Sequence, residues 1–252
     1  MRRVGASTTE LEAEVERLRA ELAEHERRAG AQTQQLERYA ADLRETFKRE
    51  RESAQELQES YVATVRALSN AVEARDAYTG HHAERVAAYG LAIAAETGTA
   101  LTDQPEIEFG FLLHDVGKVA IPDAILYKPQ PLEPHEFRLM ARHPVIGWEI
   151  VRDVAFLGEA RDVVRSHHER WDGAGYPDQL AGEEIPLAAR VFALADTLDA
   201  LTTDRPYRQA STFAQAREII RESSGTQFDP GIVESFDRIP DAELERIRTE
   251  IG

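Results

Sequence analysis

The sequence has no cysteine. Disulfides and thiolate metal sites are therefore excluded, and any metal must be held by nitrogen and oxygen ligands. It also lacks long apolar runs: nothing approaches the ~18 residues a membrane span needs. Arg2-Arg3 are followed by Val4-Gly5-Ala6-Ser7 and not by an apolar signal region, so a cytoplasmic protein without a membrane segment is expected. Positive charge is scarce too, with 30 Lys and Arg against 46 Asp and Glu and a net charge of -16. Nucleic acid backbones need a basic footprint, so DNA is excluded as a partner. An anionic small substrate would need local cations, from a metal or a few placed Arg and Lys. Convincing period-2 alternation is absent as well, and the fold class expected is all-α.

What is present divides along the chain. Residues 10 to 70 contain no proline and one glycine, Gly30, among dense Glu, Arg, Gln and Ala. Ser7 and Glu10 form a capping-box pattern before Leu11. Leu11, Val15, Leu18 and Leu22 then step by four and three, as do Leu36, Ala40, Leu43 and Phe47. This is a coiled-coil seam, with a stutter between His25 and Leu36. A homodimer through this segment is expected; an amphipathic helix folded onto its own domain is the alternative. From Val62 the pattern changes to shorter helices punctuated by Pro and Gly, including Glu106–Leu113, Pro144–Val154, Glu159–His168 and Ala188–Leu201. The expected domains are a coiled coil over 1–61, a helical domain over 62–238 and a helical tail over 239–252.

The histidines carry the chemistry. His114-Asp115 ends an apolar run and leads into Val116-Gly117-Lys118. His143 precedes Pro144, and His167-His168 open Glu169-Arg170-Trp171-Asp172-Gly173-Ala174-Gly175-Tyr176-Pro177. His82 lies in Tyr78-Thr79-Gly80-His81-His82, and Asp196 and Asp199 share Ala195-Asp196-Thr197-Leu198-Asp199. A pair of divalent ions ~3.5–4 Å apart needs one bridging carboxylate and several neutral imidazoles, and an adjacent His-Asp supplies a terminal ligand and a bridge. Lys118, one turn after His114, reaches the same face and can meet a phosphate oxygen. Taken singly, each histidine reads as a hydrogen-bonded core residue, and Asp199 as a cap or an outer acceptor. Their combination favours a binuclear phosphohydrolase. His25, His81 and His135 are assigned to the coiled coil and the surface.

His114-Asp115-Val116-Gly117-Lys118 and His167-His168-Glu169 through Gly175-Tyr176-Pro177 resemble the two name-giving motifs of HD-GYP domains. The likeness continues through Ile185-Pro186-Leu187-Ala188-Ala189-Arg190, Asp204-Arg205-Pro206-Tyr207-Arg208 and Gly225-Thr226-Gln227-Phe228-Asp229-Pro230. It covers residues 62 to 238 and implies an HD-superfamily helical bundle behind the coiled coil. By position, the resemblance implies metal ligands at His82, His114, Asp115, His143, His167, His168 and Asp196, with Asp115 as the bridge. It gives catalytic roles to Asp115 and Lys118, and substrate contacts to Lys118, Tyr176, Arg205 and Arg208. The implied cofactors are two divalent ions, iron or manganese. The implied reaction is hydrolysis of cyclic di-GMP to pGpG, and onward to GMP, within second-messenger signalling and with an upstream signalling protein as a partner. The alternatives are another cyclic dinucleotide or nucleotide as substrate, or a silent binding module.

Three departures stand out. Tyr78 occupies the place where some members have a third-site glutamate, which favours two metals. Gln130 and Gln179 stand where glycine is usual. If those backbones take positive φ, each glutamine costs roughly 1 kcal/mol or more.

Overall fold

The computed structural model describes residues 8–75, 81–104, 106–204 and 209–251. Where the sequence offers no proline and only one glycine, it forms a single helix, α1, over Thr8–Glu73. The residue expected to cap it, Ser7, lies outside the described residues. The chain divides into two compact units, Met1–Ser60 and Tyr61–Gly252. In the first, the seam residues Leu11, Leu22, Leu36 and Phe47 are 57%, 60%, 67% and 62% exposed. Along the same helix Arg17 bridges Glu14 and Glu21 at 2.6 and 2.7 Å, the one-turn spacing that supports a solvated helix.

The second unit opens with the last turns of α1, then α2 (His82–Glu96), α3 (Glu106–Leu113), α4 (Asp123–Leu126) and α5 (Pro134–Met140). It continues with α6 (His143–Val151), α7 (Ala160–Ser166), α8 (Leu187–Thr202), α9 (Phe213–Glu222), α10 (Pro230–Asp237) and α11 (Asp241–Ile251). No strand occurs among the described residues, so the all-α expectation holds. No helix among them is long and apolar enough to cross a membrane.

Two helices form the centre because each carries a dense apolar run. In α3 every residue from Phe109 to Leu113 is buried, and in α8 Val191, Phe192, Leu194, Ala195 and Leu198 are fully enclosed. The Ala-rich α2 packs across both. Short side chains allow that approach, and at Gly90 a Cβ would sit 2.5 Å from the Phe111 ring. Local signals set the ends of the outer helices. Thr212 and Gln215 make a reciprocal capping box on α9, and Asp229 accepts from Gly231 N at 2.8 Å with Pro230 at the first position of α10. Residues 239–252, expected as a tail, include Leu244 and Ile247 of α11, which are buried in this same core.

Candidate metal centre

The core brings three helix ends together, and each end carries a histidine. Helix C-termini leave backbone carbonyls without partners inside the helix. His114 Nδ1 bonds the Phe111 carbonyl of α3 at 2.9 Å, and His143 Nδ1 the Met140 carbonyl of α5 at 2.8 Å. His167 Nδ1 bonds the Val164 carbonyl of α7, at 2.9 Å. A carbonyl can only accept, so each Nδ1 carries the proton and each Nε2 lone pair is turned the other way. All three point to Asp115. Its Oδ2 lies 3.1 Å from His114 Nε2, and its Oδ1 lies 3.2 Å from His143 Nε2 and 3.9 Å from His167 Nε2.

Asp115, His143, His167 and His168 each offer one ligand atom, all within 4.8 Å of one another. Across the cluster His82 Nε2 approaches Asp196 Oδ1 at 3.4 Å, while His82 Nδ1 bonds Asp199 Oδ2 at 2.7 Å. Arg85 Nε holds the other oxygen of Asp199 at 2.7 Å. Thus Asp199, left open between a cap and an outer acceptor, fixes the ring of His82 from behind. Lys118 Nζ reaches Asp115 Oδ2 at 2.7 Å, and Tyr176 stacks on His168 with centroids 4.7 Å apart. The seven residues expected as metal ligands converge in one place. Tyr78, Arg205 and Arg208 lie outside the described residues.

At Asp115, His167 and His168 charge is arranged as metal ligation requires. Burial, and then the neighbouring imidazoles, hold His167 well below its ordinary value. The same causes, burial first and then His143, push His168 down to about 3. Burial works to raise Asp115, but the Lys118 ammonium and the His114 and His143 imidazoles hold it well below the carboxylate range. Burial also disfavours charge on His82; the hydrogen bond to Asp199 and the charges of Asp196 and Asp199 outweigh it and raise that imidazole. Asp115 Oδ1 is buried with no hydrogen-bond partner. A buried carboxylate oxygen without a hydrogen-bond partner, faced by imidazole Nε2 atoms, fits a divalent cation held by nitrogen and oxygen donors.

Two backbone approaches hold the arrangement. A Cβ at Gly117 would fall 1.9 Å from the His143 carbonyl oxygen, so only glycine lets the turn after Asp115 lie against α6. A Cβ at Gly175 would meet Arg170 N and Glu169 Cα at 2.5 Å, so the loop carrying Tyr176 folds tightly over the histidine pair. Glu169, buried beneath it, accepts from Asp178 N at 2.7 Å and from Leu180 N at 3.1 Å. Gln179 between them has φ +57, so the strain anticipated there is present; Gln130 has no positive φ and carries none. Sequence reasoning passed over Arg85, Glu169 and Glu73. The last lines a cavity with His82, His114 and Lys118 and accepts from Ala83 N at 2.6 Å. For Glu169 the signal was its place inside the second motif; for Arg85 and Glu73 there was none, because their partners are distant in sequence or across a turn.

The fold and the site together define an HD domain, and a family model described as an HD domain matches residues 66–232. The chain is 41% identical over 181 residues to a 3′3′-cGAMP-specific phosphodiesterase of Vibrio cholerae serotype O1, covering 71% of this chain and 35% of the relative. It is 38% identical over 213 residues to the cyclic di-GMP phosphodiesterase response regulator RpfG of Xanthomonas campestris pv. campestris, covering 84% and 53%. An HDG"Y"P protein from Bdellovibrio bacteriovorus shares the fold with a TM-score of 0.53 and 21% identity, over 71% of this chain and 63% of that one. The chain belongs to the HD domain family, in its HD-GYP branch. It spans between a third and a little over a half of the length of these curated relatives.

Proposed function

We propose that the domain hydrolyses a cyclic dinucleotide, cyclic di-GMP foremost, to the linear pGpG. The single observation that carries this is the unpaired Asp115 carboxylate oxygen ringed by inward-facing imidazoles, with the Lys118 ammonium on its other oxygen. The named activities of the curated relatives support the same substrate class.

His82, His114, His143, His167, His168, Asp196 and the bridging Asp115 would hold two ions. When bound, such ions neutralise phosphate charge and make water a nucleophile at neutral pH. The chain's own residues do the rest. Asp115 stays ionised and His167 and His168 stay neutral, so at these three positions no proton must be displaced before the site can bind. Lys118 is one side chain from the bridge and supplies a cation to a non-bridging phosphate oxygen. Tyr176 covers His168 and limits how water reaches the cluster. The water oxygen forms a bond to phosphorus, the bond from phosphorus to the 3′-oxygen breaks, and one proton ends on that oxygen. Arg205 and Arg208 are assigned to phosphate and guanine on the resemblance alone, and a second round to GMP is part of the same reading. The exposed seam of α1 supports a homodimer, joined to an upstream signalling protein.

The test is direct. Purified chain is loaded anaerobically with Mn²⁺ or Fe²⁺, given cyclic di-GMP, and its products are separated by chromatography. Appearance of pGpG is expected. Metal-loaded protein that binds the dinucleotide and leaves it intact would establish the silent-module alternative instead.

A further inference from the structure

The curated relatives divide by a single base: one acts on cyclic di-GMP, the other on 3′3′-cGAMP. Beside the metal cluster lies a cleft enclosing about 630 Å³, solvent at its mouth included, lined by His168, Tyr176 and Asp196 on the metal side. The cavity proper is about 250 Å³, just under the usual range of small-molecule sites. The lining also includes Arg170, Thr197 and Gln227, and Phe137 stands edge-on to Tyr176 at 5.9 Å between ring centroids. Aromatic rings and hydrogen-bonding side chains lining one cleft are what a purine requires: a surface to stack on and groups to read its edge.

Two neighbours settle how that edge is oriented. Thr197 Oγ1 gives its only hydrogen to the Ala193 carbonyl at 2.9 Å, so it can only accept from Gln227, whose Nε2 lies 3.3 Å away. Arg170 can only donate, and its Nη1 meets Gln227 Oε1 at 3.4 Å. Both contacts demand the same orientation of the amide. Arg170 is itself fixed by a two-pronged pairing with Asp172, at 3.1 and 2.7 Å. The backbone is tied as well, since Gln227 O accepts from Trp171 N at 3.2 Å. A glutamine ordinarily reads adenine with one donor and one acceptor, whereas guanidinium donors read the O6 and N7 acceptors of guanine. Here the glutamine oxygen is engaged by a cation, so the groups that Gln227 and Arg170 can still offer a base are N–H donors.

We infer that this cleft is a single-base subsite in which Gln227 and Arg170, held by Thr197 and Asp172, select guanine over adenine. The inference rests on the proposed hydrolysis of cyclic dinucleotides and names its specificity residues. One guanine suffices, so cyclic di-GMP and 3′3′-cGAMP are both admitted and cyclic di-AMP is disfavoured.

The full chain, loaded with Mn²⁺, is assayed for kcat/KM on cyclic di-GMP and on cyclic di-AMP, as wild type, Gln227→Glu and Thr197→Val. The readout is the ratio of the two constants, because misfolding or metal loss lowers both alike. Wild type is expected to favour cyclic di-GMP by about tenfold or more. Gln227→Glu turns a donor into an acceptor and is expected to reduce the ratio about tenfold; Thr197→Val, which releases the amide, reduces it less. A ratio unchanged within twofold in both variants, or a wild type that prefers cyclic di-AMP, overturns the inference and leaves the hydrolysis reading standing. Wild type that cleaves bis(p-nitrophenyl) phosphate but neither cyclic dinucleotide overturns that reading and the inference together.

Discussion

Asp199 shows how much a single side chain can do behind a candidate ligand. It receives His82 on one oxygen and Arg85 on the other, and although burial opposes its charge, those two partners keep it ionised. Outer partners of this kind typically contribute 10–100-fold to metal affinity or activity. Asp199→Asn is therefore expected to weaken metal binding by about that factor while the fold persists, read by metal titration and by melting temperature. Unaltered metal affinity would make the pairing purely structural. The pH response follows from the buried histidines. His167 and His168 have depressed values in the folded chain, His168 near 3, whereas the unfolded chain takes up a proton on each near 6.5. Below about pH 6.5 the unfolded state binds more protons, so stability of the metal-free protein falls, by up to about 1.4 kcal/mol per pH unit for each group. His82, shifted upward, contributes its stability fully below about 6.5 and loses it only at higher pH, so it does not offset that fall. Melting curves of metal-free protein from pH 7.5 to 5.5 should descend; a flat series would contradict the neutral-imidazole assignment. At this scale the sequence was most informative. Adjacent His-Asp and His-His pairs are legible because both members act at one point. Asp199 with Arg85, 114 residues apart, is a pairing that no local pattern reveals.

At the scale of elements, three short helices end at the cluster, and their spare carbonyls orient the three imidazoles. The helices themselves were readable from apolar periodicity and from Pro and Gly punctuation: Glu106–Leu113 is found as expected, and Pro144–Val154 as His143–Val151. Their convergence was not, because the sequence does not say which helix ends meet. Gly117 marks one such meeting. In sequence it is an ordinary glycine between Val116 and Lys118; in the fold it is where the turn touches α6. Gly117→Ala is expected to cost about 1–3 kcal/mol by overpacking, and to lower metal content because His143 moves away from Asp115. Circular dichroism melts and elemental analysis on one preparation check both. A variant with wild-type stability would show that the contact relaxes freely.

For the whole molecule, two units divide within one helix, and the candidate metal centre lies in the second. The first exposes a row of leucines that a monomer gains nothing by displaying. Static light scattering of the full chain at micromolar concentration should give a dimer, and a chain lacking residues 1 to 58 should give a monomer or a weaker dimer. A monomeric full chain would reject the seam as a dimer interface. The heptad steps were plain in the sequence, whereas the burial of Leu244 and Ile247 in the main core was not, since the closing helix looks merely charged. Metal binding and turnover both depend on one carboxylate. Asp115→Ala and wild type, purified side by side and loaded with Mn²⁺, are compared by elemental analysis and by pGpG release from cyclic di-GMP. The folded variant is expected to lose bound metal and to drop in kcat by more than the roughly 10–100-fold that an outer partner costs. A variant that keeps its full metal content and turns over at the wild-type rate would contradict this dependence.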